Sequence, residues 1–241
     1  MSSFSTEPVE RYTQQTLLID ADDTLWENNI YFERAIASFI SFLDHKVHTA
    51  EQVREHLNMC ERATIAAHGY GLQSFRRSLV DCFEQLSETT ITPERHAKIV
   101  SFTDAIASKE MEILPGVEKT LEELSTRHRL ILVTKGNEVE QVDKLERSGL
   151  RPFFHAAEVL AEKNPEAYRA VIAAYQCELT ATWMIGNSPK SDINPALAAG
   201  LNAVFIPHDF TWVLEHEVVD APAGKQRLME LGGFAELTTY F

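Results

Sequence analysis

Hydrophobic and polar positions follow two different patterns along this chain. From residue 117 onward, short apolar runs alternate with amphipathic stretches of helical spacing, whereas residues 29 to about 113 contain amphipathic stretches only. Short apolar strands that alternate with helices are typical of a parallel sheet covered on both faces. We therefore predict an α/β fold, with a doubly wound, Rossmann-like parallel sheet as core and an inserted all-helical cap.

The predicted elements can be placed on the sequence. A first strand ends at Asp20, and further strands are predicted at 130–134, 157–160, 182–186 and 203–206. Helices are predicted at 117–126, 138–148, 165–175 and 191–199 between these strands, and at 31–45, 51–68, 75–86 and 93–112 in the insertion. Two helix starts carry capping signals, because Thr49 and Gln52 have capping-box spacing and Thr92 precedes a first-turn proline. We expect residues 1–26 and 114–241 to form the α/β core and residues 27–113 the cap.

Charge and cysteine content narrow the class of protein. The chain has 241 residues, 22 of them basic and 36 acidic, which gives a net charge of −14 and argues against nucleic acid as a partner. Its three cysteines lack a CxxC pair, as expected for reduced thiols in the cytoplasm. No signal peptide and no membrane span are visible. We expect a cytoplasmic monomer or homodimer without a membrane partner.

Two acids follow the first predicted strand. Asp20 ends an apolar run and Asp22 lies one residue further on, where the turn can place the two carboxylates in different surroundings. Such a pair suits two roles, one as nucleophile or metal ligand and one as general acid and base. An acid after a strand also commonly caps a turn, so the pair alone leaves both interpretations open.

Further polar residues follow the other predicted strands. Thr134 and Lys135 end the second strand, Lys163 follows the third, and Asn187 and Asp192 follow the fourth. Each of these residues alone could simply cap a turn or a helix. Ligands of open α/β sheets bind outside the carboxyl ends of the strands, so the sequence predicts that these groups meet at one edge, beneath a cap that can close as a lid.

Together these groups suit hydrolysis of a phosphate ester. Asp20 is predicted to attack phosphorus, and Asp22 to protonate the leaving alcohol and then deprotonate water. Thr134, the amide of Lys135 and the ammonium of Lys163 would bind the phosphoryl oxygens. Mg²⁺ is the expected cofactor. Its predicted ligands are Asp20, Asp22, Asp192 and Asn187, together with a backbone carbonyl.

The ordered motifs resemble those of the haloacid dehalogenase-like hydrolase superfamily. They are the run DADDT at 20–24, Thr134, Lys163 and the run GNSPKSD at 186–192, with the helical block in the place of that family's cap. The resemblance implies Mg²⁺ and an aspartyl-phosphate intermediate. Because members that hydrolyse haloacids or phosphonates lack the second acid, Asp22 points to the phosphatase branch and a small phosphorylated metabolite as substrate.

The sequence departs from that family pattern at two positions. Asn187 stands where the family usually has an acid, which implies a weaker metal site, and Lys135 stands where Asn is common. The turn around Tyr70, flanked by Gly69 and Gly71, is the candidate specificity loop, with Tyr70 as a substrate contact. Three alternatives remain open: a phosphoacceptor signalling module, a dehalogenase or phosphonatase of the same superfamily, and a cap-bearing binding protein without catalysis, which the neutral Asn187 suggests.

Overall fold

The core of the protein is a parallel β-sheet. A computed structural model describes residues 11–87 and 89–241, and within them six strands form one sheet in the order β3-β2-β1-β4-β5-β6. All neighbouring strands pair in parallel. The strands are β1 (Thr16–Ile19), β2 (Arg129–Lys135), β3 (Ala156–Leu160), β4 (Thr182–Gly186), β5 (Asn202–Phe205) and β6 (Leu228–Glu230). The strand order reverses between β1 and β4, which is where doubly wound sheets bind ligands.

The helices fall into two sets. The insertion contains α1 (Asn29–Leu43), α2 (Ala50–His68), α3 (Leu72–Leu86) and α4 (Pro93–Ala107). The sheet region contains α5 (Val117–Ser125), α6 (Glu138–Ser148), α7 (Pro165–Ala174), α8 (Asn194–Ala198) and α9 (Leu237–Tyr240). Short 3₁₀ turns occur at Arg151–Phe153, Leu179–Ala181, Val213–Glu215 and Phe234–Glu236, and one π-helical turn at Pro189–Ile193.

Apolar layers cover both faces of the sheet. Leu17 and Ile19 of β1 belong to a cluster that includes Leu121 of α5, whereas Leu18 packs with Tyr168 of α7 on the other face. Successive side chains of a strand point to opposite faces, so three consecutive apolar residues require two covering layers. This confirms the predicted α/β class and its doubly wound sheet.

The helical insertion has a hydrophobic core of its own. Ile36, Phe39, Leu57 and Leu79 are among the buried residues of a cluster formed by the four insertion helices. Its two connections to the sheet region run side by side: the amide of residue 114 donates to the carbonyl of residue 25 at 2.9 Å, and residue 27 donates to residue 112 at 2.9 Å. We therefore retain the division into a core of 1–26 and 114–241 and a cap of 27–113 as a proposal.

Several element boundaries differ from the prediction. Helix α4 ends at Ala107 rather than at residue 112, because the chain then extends beside residues 26 and 27. The helix predicted at 191–199 is a π-helical turn followed by α8. Strand β6 was not predicted, because its three residues are partly exposed or exposed and form no apolar run. No described helix combines the length and apolar character needed to cross a membrane.

Candidate active site

Asp20 lies buried directly after β1, at the carboxyl edge of the sheet. Its amide donates to the carbonyl of Ile185 in β4 at 2.9 Å, which continues the strand pairing to this position. One carboxylate oxygen, Oδ2, accepts a hydrogen bond from the Thr24 hydroxyl at 2.9 Å. The other, Oδ1, lies 2.5 Å from the Lys163 ammonium. Asp20 is thus fixed at both oxygens.

Lys163 connects Asp20 to a second buried carboxylate. Its Nζ also lies 2.6 Å from Oδ1 of Asp192, which is 1% exposed. Burial and the nearby charge of Asp20 raise the pKa of Asp192 to about 7, although Lys163 opposes this shift. Burial acts to lower the pKa of Lys163, but the two carboxylates outweigh it and raise that pKa well above its usual value. Two acids that share one cation form a strongly charged, buried site.

The turn after β4 holds Asp192 in place. A Cβ atom at Gly186 would lie 2.2 Å from Oδ2 of Asp192, so only glycine leaves room for this carboxylate. The Ser188 amide donates to that same oxygen at 2.9 Å. Asn187 donates through Nδ2 to Thr211 at 2.9 Å. Its Oδ1 faces the Thr24 hydroxyl at 3.4 Å. Asn187 therefore connects the turn after β1 to the loop after β5.

The donor set at this edge fits a hard divalent cation. Asp20 and Asp192 supply two converging carboxylates, and Asn187 supplies an amide oxygen; all three residues are buried. Mg²⁺ prefers oxygen ligands, and an added cation would relieve the repulsion between Asp20 and Asp192 that contributes to the raised pKa of Asp192. These three residues are therefore the ones that would hold the metal ion.

Asp22 has different surroundings. Its Oδ1 accepts hydrogen bonds from Trp26 Nε1 at 2.7 Å and Lys144 Nζ at 2.8 Å. Its Oδ2 accepts from Gln141 at 2.9 Å and from the same Lys144 nitrogen at 2.9 Å. A carboxylate has about four lone-pair sites, so these contacts satisfy the side chain. Burial acts to raise the pKa of Asp22, but Lys144 and the other donors outweigh it and hold that pKa below its usual value.

Residues at the carboxyl end of β2 and after β3 converge with Asp20 on one cavity of about 180 Å³. Thr134 is 1% exposed, lines this cavity and donates to Gln141 at 3.3 Å. Lys135 lies 2.7 Å from Glu215, and its ammonium is 4.6 Å from the ring centre of Tyr70. The cavity is bordered by Asp20, Asp22, Tyr70, Thr134, Lys135, Lys163, Asn187 and Asp192, which is every residue that the sequence analysis placed in the site.

A second group of potential metal ligands lies beside the first. Asp23, Glu27 and His208 have ligand atoms within 4.8 Å of one another. However, Asp23 already accepts hydrogen bonds from the amides of Asn28 and Asn29 at the start of α1, at 2.9 and 3.0 Å. Burial and the charge of Asp22 raise the pKa of Asp23 to about 7. Asp23 is therefore engaged mainly in fixing the entry into the cap.

Sequence reasoning missed several residues of the site. Gln141 and Lys144 lie three residues apart on α6, and their contact with Asp22 depends on how that helix packs. Glu215 comes from the irregular loop after β5, accepts from Ser188 at 2.6 Å and pairs with Lys135. Burial acts to raise the pKa of Glu215, but Lys135 lowers it below its usual value. The spacing of Gln141 and Lys144 on one helix face was the one available signal.

Comparison with known proteins gives a consistent result. The profile of the haloacid dehalogenase-like hydrolase family matches residues 14–200. The N-acylneuraminate-9-phosphatase of Homo sapiens is 22% identical over 218 residues, which cover 85% of this chain and 84% of that protein.

Solved structures agree with the sequence match. A haloacid dehalogenase-like family hydrolase from Xanthomonas campestris has a TM-score of 0.79 at 27% identity, over 93% of each chain. A HAD-hydrolase from Bacillus subtilis bound to magnesium has a TM-score of 0.64 at 20% identity, over 95% of this chain and 98% of that one. The match over most of the chain, together with the four motifs at one sheet edge, shows that this protein belongs to the haloacid dehalogenase-like hydrolases.

Proposed function

We propose that the protein is a Mg²⁺-dependent phosphatase that hydrolyses a small phosphomonoester through an aspartyl-phosphate intermediate. The single observation that carries this proposal is the convergence of Asp20, Lys163 and Asp192 within 2.6 Å contacts beside a cavity. The phosphatases among its curated relatives support the same reaction class. At 22% identity we infer from them the class of reaction and not the substrate.

The proposed reaction has two halves. In the first, an Asp20 oxygen attacks phosphorus, the bond from phosphorus to the alcohol oxygen breaks, and Asp22 gives that oxygen a proton. In the second, Asp22 takes a proton from water, the water oxygen attacks phosphorus, and phosphate leaves the restored Asp20 carboxylate. Thr134, the Lys135 amide and Lys163 would bind the phosphoryl oxygens.

The metal ion has a limited role in this proposal. Asp20, Asp192 and Asn187 would hold Mg²⁺, which supplies positive charge where two carboxylates and a phosphate meet. Asp22 remains a predicted further ligand of the metal ion. Its carboxylate would first have to break its hydrogen bonds with Trp26, Gln141 and Lys144. The Lys163 ammonium already lies between Asp20 and Asp192, so this chain contributes a fixed positive charge of its own.

Asp22 also argues against the dehalogenase alternative, because an alcohol leaving group needs a proton from an acid and a halide does not. Its carboxylate lies at the cavity and is kept ionised by Lys144, a state that suits the removal of a proton from water. To donate a proton to the alcohol, Asp22 must leave Lys144 and become protonated. We propose that this movement accompanies substrate binding.

A screen of phosphomonoesters tests the proposal. We expect repeated phosphate release that requires Mg²⁺, and its loss on Asp20→Asn while the fold is kept. Asp143→Asn on the exposed side of α6 serves as the matched control and should retain activity. Retention of a phosphoryl label from acetyl phosphate without turnover would instead favour the signalling module. Chloride release from a haloacid would favour the dehalogenase.

A further inference from the structure

The cap end of the cavity has a wall that the proposed phosphatase chemistry does not use. Three insertion helices each turn a pair of residues four positions apart toward the cavity, as expected for one face of a helix. The pairs are Phe32 and Ile36 of α1, Glu61 and Ile65 of α2, and Ser74 and Ser78 of α3, with Phe75 beside them. Among these seven residues only Glu61, Ser74 and Ser78 are polar, and Asn28, Asn29 and Tyr70 of the insertion also border the cavity.

Glu61 is an unusual residue to find in such a wall. It is 5% exposed, and its Oε2 lies 3.3 Å from the guanidinium of Arg54. Its Oε1 accepts no hydrogen bond from the described residues and is not among their fully buried polar atoms, so it keeps some solvent access while Glu61 lines the cavity. Burial raises the pKa of Glu61 to about 7, against the opposing effect of Arg54. The Glu61 side chain is thus largely buried in the cap, and one of its oxygens remains available to accept a hydrogen bond.

The negative charge of Glu61 is offset only in part. Arg54 is shared with Glu33, which its guanidinium contacts at 2.7 Å, and Arg62 acts on Glu61 through its charge without a hydrogen bond. A substrate group that carries a negative charge would be repelled here, whereas a hydroxyl or an ammonium group would supply the missing donor. The two serine hydroxyls add further hydrogen-bonding oxygens to this part of the wall. Ser78 donates to the Ser74 carbonyl at 3.0 Å, and no described residue bonds the Ser74 hydroxyl.

We propose that Glu61, with Ser74 and Ser78, selects phosphomonoesters whose alcohol ends in an uncharged or cationic hydrogen-bond donor and rejects those that end in a carboxylate. The apolar side chains around these groups enclose the body of the alcohol. This inference rests on the proposed phosphatase function and adds the class of its substrate.

A matched series of alkyl phosphates tests this selectivity. The esters have the same chain length and end in hydroxyl, ammonium, methyl or carboxylate, and the series is repeated at several lengths with Mg²⁺ present. At the best length we expect kcat/KM for a donor-ended ester to exceed that of the methyl-ended ester by about tenfold or more. The carboxylate-ended ester should be the poorest substrate. The ratio between the hydroxyl and ammonium esters then shows which donor is preferred.

Two variants locate the effect. Glu61→Gln should reduce the advantage of the ammonium-ended ester by about tenfold and improve the carboxylate-ended one, with little change for the methyl-ended ester. Glu55→Gln, on the exposed side of the same helix, should leave all ratios unchanged. If Glu61→Gln does not fold, Ser74→Ala provides the test, because it should lower the rates of donor-ended esters and leave that of the methyl-ended ester unchanged.

The outcomes separate the two proposals. Equal kcat/KM for all four endings, or preference for the carboxylate, would overturn the inference while leaving the phosphatase function intact. The same ratios in Glu61→Gln as in the unmodified protein would also overturn it. Phosphate release from no member of the series, nor from an aryl phosphate, would overturn the phosphatase function, and the inference would fall with it.

Discussion

At the scale of single residues, the site is organised by two buried carboxylates that share one ammonium group. Asp20 and Asp192 lie 2.5 and 2.6 Å from Lys163 Nζ. Buried charges are costly unless they are paired, so the loss of Lys163 would leave two carboxylates uncompensated, and displacement of either acid changes the charge balance of the site. The positions of these three side chains are therefore sensitive to small displacements. Gly186 is in contact with Asp192, so a larger residue there would displace that carboxylate.

We predict that Gly186→Ala displaces Asp192, because the added Cβ would lie 2.2 Å from its Oδ2. Activity should fall by about 100-fold, and half-maximal activity should require more Mg²⁺. The measurement is phosphate release as a function of Mg²⁺ concentration. Gly233→Ala is the matched control, since a Cβ there meets nothing within 4 Å and the backbone is extended. Equal losses in both variants would contradict this explanation.

Glu61 makes a prediction about stability and pH. Its pKa rises on folding from 4.5 to about 7, so between these values the folded state binds more protons than the unfolded state. The free energy of unfolding therefore falls as pH rises through this window. Glu61→Gln should remove part of that fall, on the order of 2 kcal/mol between about pH 5 and pH 8. Denaturant unfolding at both pH values measures it, and parallel pH dependences would contradict the assignment.

The residues at strand ends could be predicted, and those around them could not. Asp20, Thr134 and Lys163 follow short apolar runs, and a parallel sheet brings such positions to one edge. Lys144 and Glu215 carry no comparable signal. Lys144 reaches Asp22 only because of how α6 packs, and Glu215 lies in an irregular loop whose path the hydrophobic pattern does not reveal.

At the scale of elements, the cap contacts the core through the start of α3. The Leu72 amide at this helix start donates to both carboxylate oxygens of Glu140 on α6, at 3.1 Å each. The Tyr70 hydroxyl donates to Glu162 at 2.8 Å. A free amide at a helix start normally bonds to a side chain of the neighbouring chain segment. Here the acceptor is Glu140 of α6, which belongs to the sheet region. The turn predicted as a specificity loop thus also joins cap and core.

Gly71→Ala should weaken this contact between cap and core. Its φ of +129° disfavours any other residue, and a Cβ would lie 3.1 Å from Glu140 and 3.2 Å from Asn137. We expect kcat/KM to fall about tenfold, along with stability. Gly69→Ala is the control, because it has a φ of +77° but nothing within 4 Å. Steady-state kinetics should show the larger loss for Gly71→Ala; equal losses would mean that backbone strain alone is responsible.

Long elements with capping signals were predicted more closely than short ones. Helix α2 begins directly after Thr49, which is the N-cap of the capping box with Gln52 that the sequence indicates. The hydrophobic pattern predicted a single helix at 191–199 and did not indicate the π-helical turn between β4 and α8. The geometry of that turn depends on the contact between Asp192 and Ser188. Strand β6 is three residues long, which is too short for a hydrophobic period to appear.

At the scale of the whole molecule, the sheet order determines where chemistry can occur. The reversal between β1 and β4 leaves a crevice outside their carboxyl ends, and Asp20 and Asn187 follow these two strands. The helical insertion follows β1 directly, so it begins beside this crevice, and it has an apolar cluster of its own. One part of the protein thus provides the charged groups and the other provides a largely apolar wall.

The proposed metal dependence concerns the whole molecule, because the chain has a net charge of −14. A phosphate ester is anionic, so Lys163 and a divalent cation must offset the surrounding acids. We predict that EDTA abolishes phosphate release and that added Mg²⁺ restores it, while Ca²⁺ restores it less well because its coordination is larger and more flexible. The measurement is activity after chelation and dialysis. Full activity without divalent metal would contradict this prediction.

The most direct test of the central claim is chemical trapping of the phosphorylated residue. The enzyme is mixed with a substrate found in the screen, quenched within a turnover, and reduced with borohydride, which converts an aspartyl phosphate to homoserine. Peptide mass spectrometry then locates the change. We predict homoserine at position 20 in the unmodified protein and none in Asp20→Asn. Homoserine at another aspartate, or its absence during rapid turnover, would contradict the assignment of Asp20 as the nucleophile.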